Sequence, residues 1–176
     1  FGTRPKVAII GDLYVRDNDV FNQNLMRDLE DYGAEVRTTP LSYVVRMIAE
    51  MHFHGLKVEG KYLSFVQNKI LVEVLESVEK RYFQIANKIL KEDFPHYDKE
   101  LLNKLEKYKI SLKHGGETAQ NIIKIFSLLR HESDLAMIIH VNPIFCCAGL
   151  ISESFFKVVE KDIDITVVEG RQKKSQ

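Results

Sequence analysis

Along the chain, short runs of β-branched residues alternate with longer stretches in which apolar residues return every three or four positions. Lys6-Val-Ala-Ile-Ile-Gly-Asp12 is the first run, and its unbroken apolar centre predicts a buried parallel strand opening into a loop. Asn18 or Asp19 can then cap a helix carrying Phe21, Leu25, Met26 and Leu29, with Gly33 placed to end it. Ala34 to Thr39 predicts a second strand closed by Pro40. Strand, helix and strand over this length form a βαβ unit, which is right-handed almost without exception. Val44, Val45, Ile48, Ala49 and Met51 then form an apolar stripe on a helix from Ser42 to Phe53, ending near Gly55.

The middle of the chain has a different rhythm. From about Gly60 to Lys91 there is no proline or internal glycine, and Leu71, Leu75, Val78, Tyr82, Ile85 and Ile89 recur at alternating spacings of four and three. That spacing predicts a heptad seam on one long helix. Asp93-Phe-Pro-His96 ends it, and Asp98 can cap a shorter helix bearing Leu101, Leu102, Leu105 and Tyr108, able to fold back against the seam. Residues of about 60–112 therefore predict a long helical insertion. Such seams are in most cases internal packing, and homodimerisation is the alternative reading.

His114-Gly-Gly-Glu-Thr118 opens the next helix, with Ile122, Ile123, Ile125, Phe126 and Leu129 inward. Leu135 to Val141 predicts a third strand, followed by the loop Asn142 to Gly149, a helix from about Leu150 to Glu160, and a last strand from Asp164 to Val168. Strands and helices in this alternation predict a single three-layer Rossmann-like α/β domain over residues 1–176. Its parallel four-stranded sheet should run in the order 2-1-3-4, with helices on both faces.

Composition narrows the function classes. The chain has 176 residues, 45% of them hydrophobic, enough for one sizeable core. Lys plus Arg equals Asp plus Glu at 25 each, so no overall basic field points to nucleic acid. No apolar run approaches the roughly 18 residues that would span a bilayer, and there is no signal-peptide hydrophobic region. The expectation is a cytoplasmic protein without membrane contact. Because the chain starts Phe-Gly-Thr-Arg-Pro and enters a strand at once, it is expected to be a domain cut from a larger protein.

Ligands bind beyond the carboxyl ends of an open parallel sheet, where neighbouring crossovers diverge. Here that point lies between strands one and three, where Gly11 to Arg16 meets Asn142 to Gly149, with His114 to Glu117 near. Asp12 and Arg16 are candidates for ligand contact, with a helix cap and a salt-bridge partner as the plainer readings. Gly116 and Glu117 could present backbone N–H groups to an anion, or simply permit a turn. Neither a G-x-G-x-x-G nor a G-x-x-x-x-G-K-[ST] motif is present.

Cys146 and Cys147, the only cysteines, are adjacent and so cannot staple distant segments; reduced or metal-bound thiols are expected. They read either as small buried apolar residues, as metal ligands, or as a nucleophile at a helix start. Zinc would need four ligands, and no C-x-x-C or ligand-spaced His pair accompanies them; His52 and His54, two apart on a helix, face different directions. An iron–sulfur cluster also needs several cysteines, so this chain alone cannot hold one in the ordinary way.

Pro5 to Arg16 together with Asn24, Leu29-Glu30 and Gly33-Ala-Glu-Val36 resembles the opening of a domain in proteins related to the 2-hydroxyacyl-CoA dehydratases and their ATP-dependent activases. Gly116-Glu117 and Asn142-Pro-Ile-Phe-Cys-Cys-Ala-Gly149 resemble its later motifs, the second being close to a Pro-Phe-Gly-Cys-x-Pro-Gly pattern. The resemblance covers nearly the whole chain, with the long middle helices aligning only loosely. It implies two Rossmann-like domains enclosing a [4Fe–4S] cluster that receives one electron from an activase. The dehydratase uses that electron to eliminate water from a 2-hydroxyacyl-CoA through a ketyl radical.

Carried over by residue, the resemblance makes Cys146 the cluster ligand, while Cys147 falls where the pattern varies. Ala148 departs from the pattern's proline, and the family's other cluster cysteines are absent from this sequence. The resemblance thus implies a lyase, or a protein related to the activases, in the intact parent. Its partners there are the parent's remaining domains, the activase and an acyl-CoA. The isolated chain is expected to be inactive and without a cluster of its own, and a docking or dimerisation module is the alternative.

Overall fold

The computed structural model describes residues 4–90, 100–111, 117–132 and 134–170. Its sheet has four parallel strands in the order β2-β1-β3-β4. These are β1 (Lys6–Gly11), β2 (Glu35–Thr38), β3 (Leu135–Val141) and β4 (Val167–Gly170). The predicted α/β class, strand order and Rossmann-like arrangement are those observed.

The helices are α1 (Leu13–Arg16), α2 (Leu25–Asp31), α3 (Leu41–Val58), α4 (Tyr62–Leu90), α5 (Glu100–Lys107), α6 (Thr118–His131) and α7 (Cys147–Ile163). The chain divides into two compact units: one comprises Phe1–Thr39 with Asp98–Gln176, the other Pro40–Tyr97. The second unit holds α3 and α4, which pack together through the Arg46–Glu76 ion pair and an edge-on contact of Phe53 and Phe65 at 5.7 Å. In the sheet unit α5 packs on α6, with Tyr108 stacked on Phe126 at 5.8 Å. The predicted chain break at Asp93 to His96 and the cap at Asp98 lie outside the described residues.

Strand periodicity decides what each face of the sheet sees. Val7, Ile9, Ile139 and Val141 form a cluster with Val15 and Ala34, against which Leu25, Met26 and Leu29 of α2 pack. The alternate positions Ala8, Ile10, Ile138 and His140 are also buried, and His140 meets Phe156 of α7 edge-on at 4.7 Å. Burying each of the large aliphatic side chains contributes about 1.5–3 kcal/mol.

Element starts differ from the sequence pattern at β4, which begins at Val167 rather than Asp164, and at two helices. No helix starts at Asn18: its Oδ1 accepts from the Val20 and Phe21 backbone N–H groups, which closes a turn instead. Gln23 and Asn24 then take φ of 58° and 59°, so α2 begins only at Leu25. The last helix begins three residues earlier than Leu150, because Phe145 turns through φ 71° and Cys146 takes the extended cap conformation.

Glycine at position 11 is required by geometry. Its φ is +119°, and an added Cβ would lie 2.0 Å from the Val141 carbonyl oxygen. Gly11→Ala should therefore lower stability by about 3 kcal/mol or more. Gly55, inside α3 with open space around it, is the contrast: Gly55→Ala should raise stability by about 0.5–1 kcal/mol. Urea unfolding of the two variants followed by circular dichroism checks both signs.

Candidate functional site

The first and third strands end side by side. Gly11 pairs with Val141, and the Asp12 N–H donates to the Val141 carbonyl at 3.0 Å. Beyond this pair the chain diverges, into α1 on one side and into the cysteine loop on the other. Asp12 caps α1, its Oδ1 accepting from the Val15 N–H at 2.9 Å. Arg16 is buried, donating from Nε and Nη2 to the two Asp17 carboxylate oxygens at 2.7 Å each, and from Nη1 to Thr39 Oγ1 at 3.0 Å. These bonds give Asp12 and Arg16 the cap and salt-bridge roles that were the plainer readings of the sequence.

Below the edge lies a buried polar chain that no motif in the sequence marks. Lys124, on α6, is fully buried, and its Nζ donates to the Gly11 carbonyl at 3.1 Å and to Asn121 Oδ1 at 3.4 Å. The Asn121 Nδ2 faces Ser152 Oγ and His140 Nε2, each at 3.2 Å, and Ser152 Oγ donates to the Ala148 carbonyl at 2.8 Å. On the other side of the ring, the Asn142 amide is 2.9 Å from His140 Nδ1, and Glu153 Oε1 is 3.6 Å away. A continuous polar path thus links the end of β1 to the residue that opens the cysteine loop.

The chemistry of the path fixes its hydrogens. An ammonium has no acceptor, so Lys124 requires oxygen on the near side of the Asn121 amide. The Asn121 nitrogen then donates to His140 Nε2, which must be unprotonated. The ring proton is then on Nδ1, which lies 2.9 Å from the Asn142 side-chain nitrogen and 3.6 Å from Glu153 Oε1; that nitrogen itself donates to Glu153 Oε1 at 3.4 Å.

Burial sets the protonation equilibria. It pulls the Lys124 ammonium down to about 8, opposed by the neighbouring Glu117 carboxylate. It pulls His140 down to about 4, with the Lys124 charge acting in the same direction. Glu117, half-buried at the start of α6, is raised chiefly by burial; Lys124 opposes this and Asp12 adds to it. Gly116 and His114, with which Glu117 was grouped as an anion contact, lie outside the described residues.

The cysteine loop is held at several points. Cys146 N–H donates to the Pro143 carbonyl at 3.1 Å, and the Leu150 N–H donates to the Cys146 carbonyl at 2.9 Å. Thr118 Oγ1 donates to the Ala148 carbonyl at 3.1 Å, alongside Ser152. A Cβ on Gly149 would lie 2.3 Å from the Asn142 amide nitrogen, so glycine lets the Asn142 side chain cross the first turn of α7. Neither thiol is buried: Cys146 is half-buried and Cys147 exposed, which corrects the reading of the pair as small core residues. Among the described residues no three His, Cys, Asp or Glu side chains gather as a metal site.

A sequence signal for the buried path existed. Asn121 and Lys124 share the inward stripe of α6 with Ile125 and Leu128, and His140 alternates onto the same strand face as Ile138. A lysine on an apolar stripe is the informative anomaly. Among the described residues no helix is long and apolar enough to cross a membrane. Comparison of the chain with family models, with curated proteins and with solved structures finds no match in any of the three.

His140 should remain neutral down to about pH 4, carrying its proton on Nδ1, as read from ring nitrogen shifts in a pH titration. Because its folded value lies below the ordinary 6.5, the unfolded chain takes up the proton first. Stability should therefore fall as pH is lowered from about 6.5 to about 4, by up to about 3 kcal/mol from this group. Glu117, raised, acts with the opposite sign, so the slope is read as the difference between wild type and His140→Gln. A His140 ring titrating near 6.5 would contradict the assignment.

Proposed function

We propose that this chain is a domain of a 2-hydroxyacyl-CoA dehydratase or activase-related system, in which Cys146 supplies one thiolate to an iron–sulfur cluster completed by other segments. The observation that carries the reading is the setting of Cys146. It is a partly exposed thiol at the cap of a 17-residue helix, at the carboxyl edge of β3, in a loop pinned from three directions. Partial exposure leaves the sulfur open to a partner surface. The amino end of α7 favours the negative charge of a thiolate-bound cluster.

The donor set of this chain does not fit a complete cluster. Such clusters ordinarily take four thiolates, whereas two adjacent thiols stand here and no further ligand gathers beside them among the described residues. One corner is what the loop can offer, and Cys146, held by the Pro143 turn, is better placed than the exposed Cys147. When bound, the cluster supplies one-electron transfer at low potential. The residues of this chain supply position: Asn142, Thr118 and Ser152 fix the loop, and Gly149 gives the room for it. In the proposed system the electron arrives from an ATP-dependent activase and the substrate is an acyl-CoA held by the remaining domains.

The test is anaerobic purification of the full-length protein, with iron and sulfide measured per chain. Cys146→Ser should lose most of the iron and the visible absorbance, and Cys147→Ser should keep them. Equal iron in wild type and Cys146→Ser would sink the proposal.

A further inference from the structure

The heptad seam on α4 faces outward. Leu71, Leu75, Val78, Tyr82 and Ile85 are each between 49% and 70% exposed. At 100° per residue these five fall within roughly 80° of arc, one continuous stripe. On α3, Leu41, Val45 and Ile48 are likewise exposed. Leu41 and Val45 face Leu75 and Val78 across a groove of about 400 Å³ between the two helices. One seam position earlier stands Asn68, whose amide nitrogen donates to the Ser64 carbonyl at 2.8 Å, so the apolar stripe begins at Leu71.

Exposed apolar residues scattered singly need no partner, but a contiguous face does. At about 100 Å² for each half-exposed large side chain, the eight residues present roughly 800 Å², above the 300–600 Å² typical of the largest patch on a monomer. The same figure matches the roughly 800 Å² per partner of a standard stable interface. Periodicity identifies the occupant. A seam repeating every 3.5 residues keeps register only along another helix of the same repeat, and a second copy brings one by construction. Charge does not oppose it: the chain has formal net charge +0, and Glu79 and Arg81 flank the stripe on its two sides with opposite signs.

We propose that the α3–α4 face is covered by the same face of a second copy of this chain, making a two-fold dimer whose interface is a layer of four helices. The contact is isologous, so each stripe residue meets the stripe of the partner. It is apolar at its centre, which makes the association insensitive to salt. The inference is independent of the cluster proposal, since no residue of the cysteine loop takes part.

Sedimentation velocity of the full chain over a wide concentration range, with reductant to remove cysteine-linked species, is the test. The expected result is a reversible dimer of twice the 20.4 kDa chain mass, equally stable at low and high salt. Leu75→Glu and Val78→Glu, both at half-exposed positions, should give monomers with unchanged helical circular dichroism. A wild-type chain monomeric throughout would overturn the proposal and assign the face to a different partner. So would folded variants that dimerise as wild type does.

Discussion

The contact on which the sheet unit depends is the approach of Gly11 to Val141, where two parallel strands end with backbone against backbone. No side chain fits between them, since the space a Cβ would need at Gly11 is filled by the Val141 carbonyl oxygen at 2.0 Å. From this pair the chain leaves in two directions, and everything that forms the candidate site is attached to one or other exit. The Asp12 cap holds the first exit; Asn142 starts the second.

The buried lysine ties the exits together. Lys124 spans 113 residues of sequence to reach the Gly11 carbonyl, a contact that no desolvated ammonium makes without compensation. Its compensation is the Asn121 amide, and through it the His140 ring and Asn142, so that a charge under β1 orients an amide over the start of α7. Removing any member would leave a buried polar partner unsatisfied, which is more costly than the bond itself is stabilising. The rigidity of the cysteine loop therefore comes from the core polar chain as well as from its own turn.

Much of the fold was legible in the sequence because it rests on local periodicity. The β-branched runs at Lys6 and Leu135 and the helical stripes of α3, α4 and α6 have the spacing of the elements they form. Helix starts were less legible. Asn18 has the chemistry of a cap but closes a turn, and the left-handed Gln23 and Asn24 delay α2 to Leu25. The cysteine loop could be placed at the sheet edge from the strand before it, but its pinning could not. Thr118 reaches Ala148 across 30 residues, and Asn121 reaches His140 and Ser152 across 19 and 31, separations that only the tertiary fold closes. The α4 seam is a mixed case: the pattern predicts the helix, and only the exposure of Leu75 and Val78 says that the seam faces outward.

The most direct test of the central claim, that Cys146 is one corner of a shared cluster, places selenocysteine at position 146 of the full-length protein. Selenium X-ray absorption is then recorded after anaerobic assembly. The account predicts an iron neighbour bonded to selenium. A selenium atom with carbon as its only neighbour would contradict it.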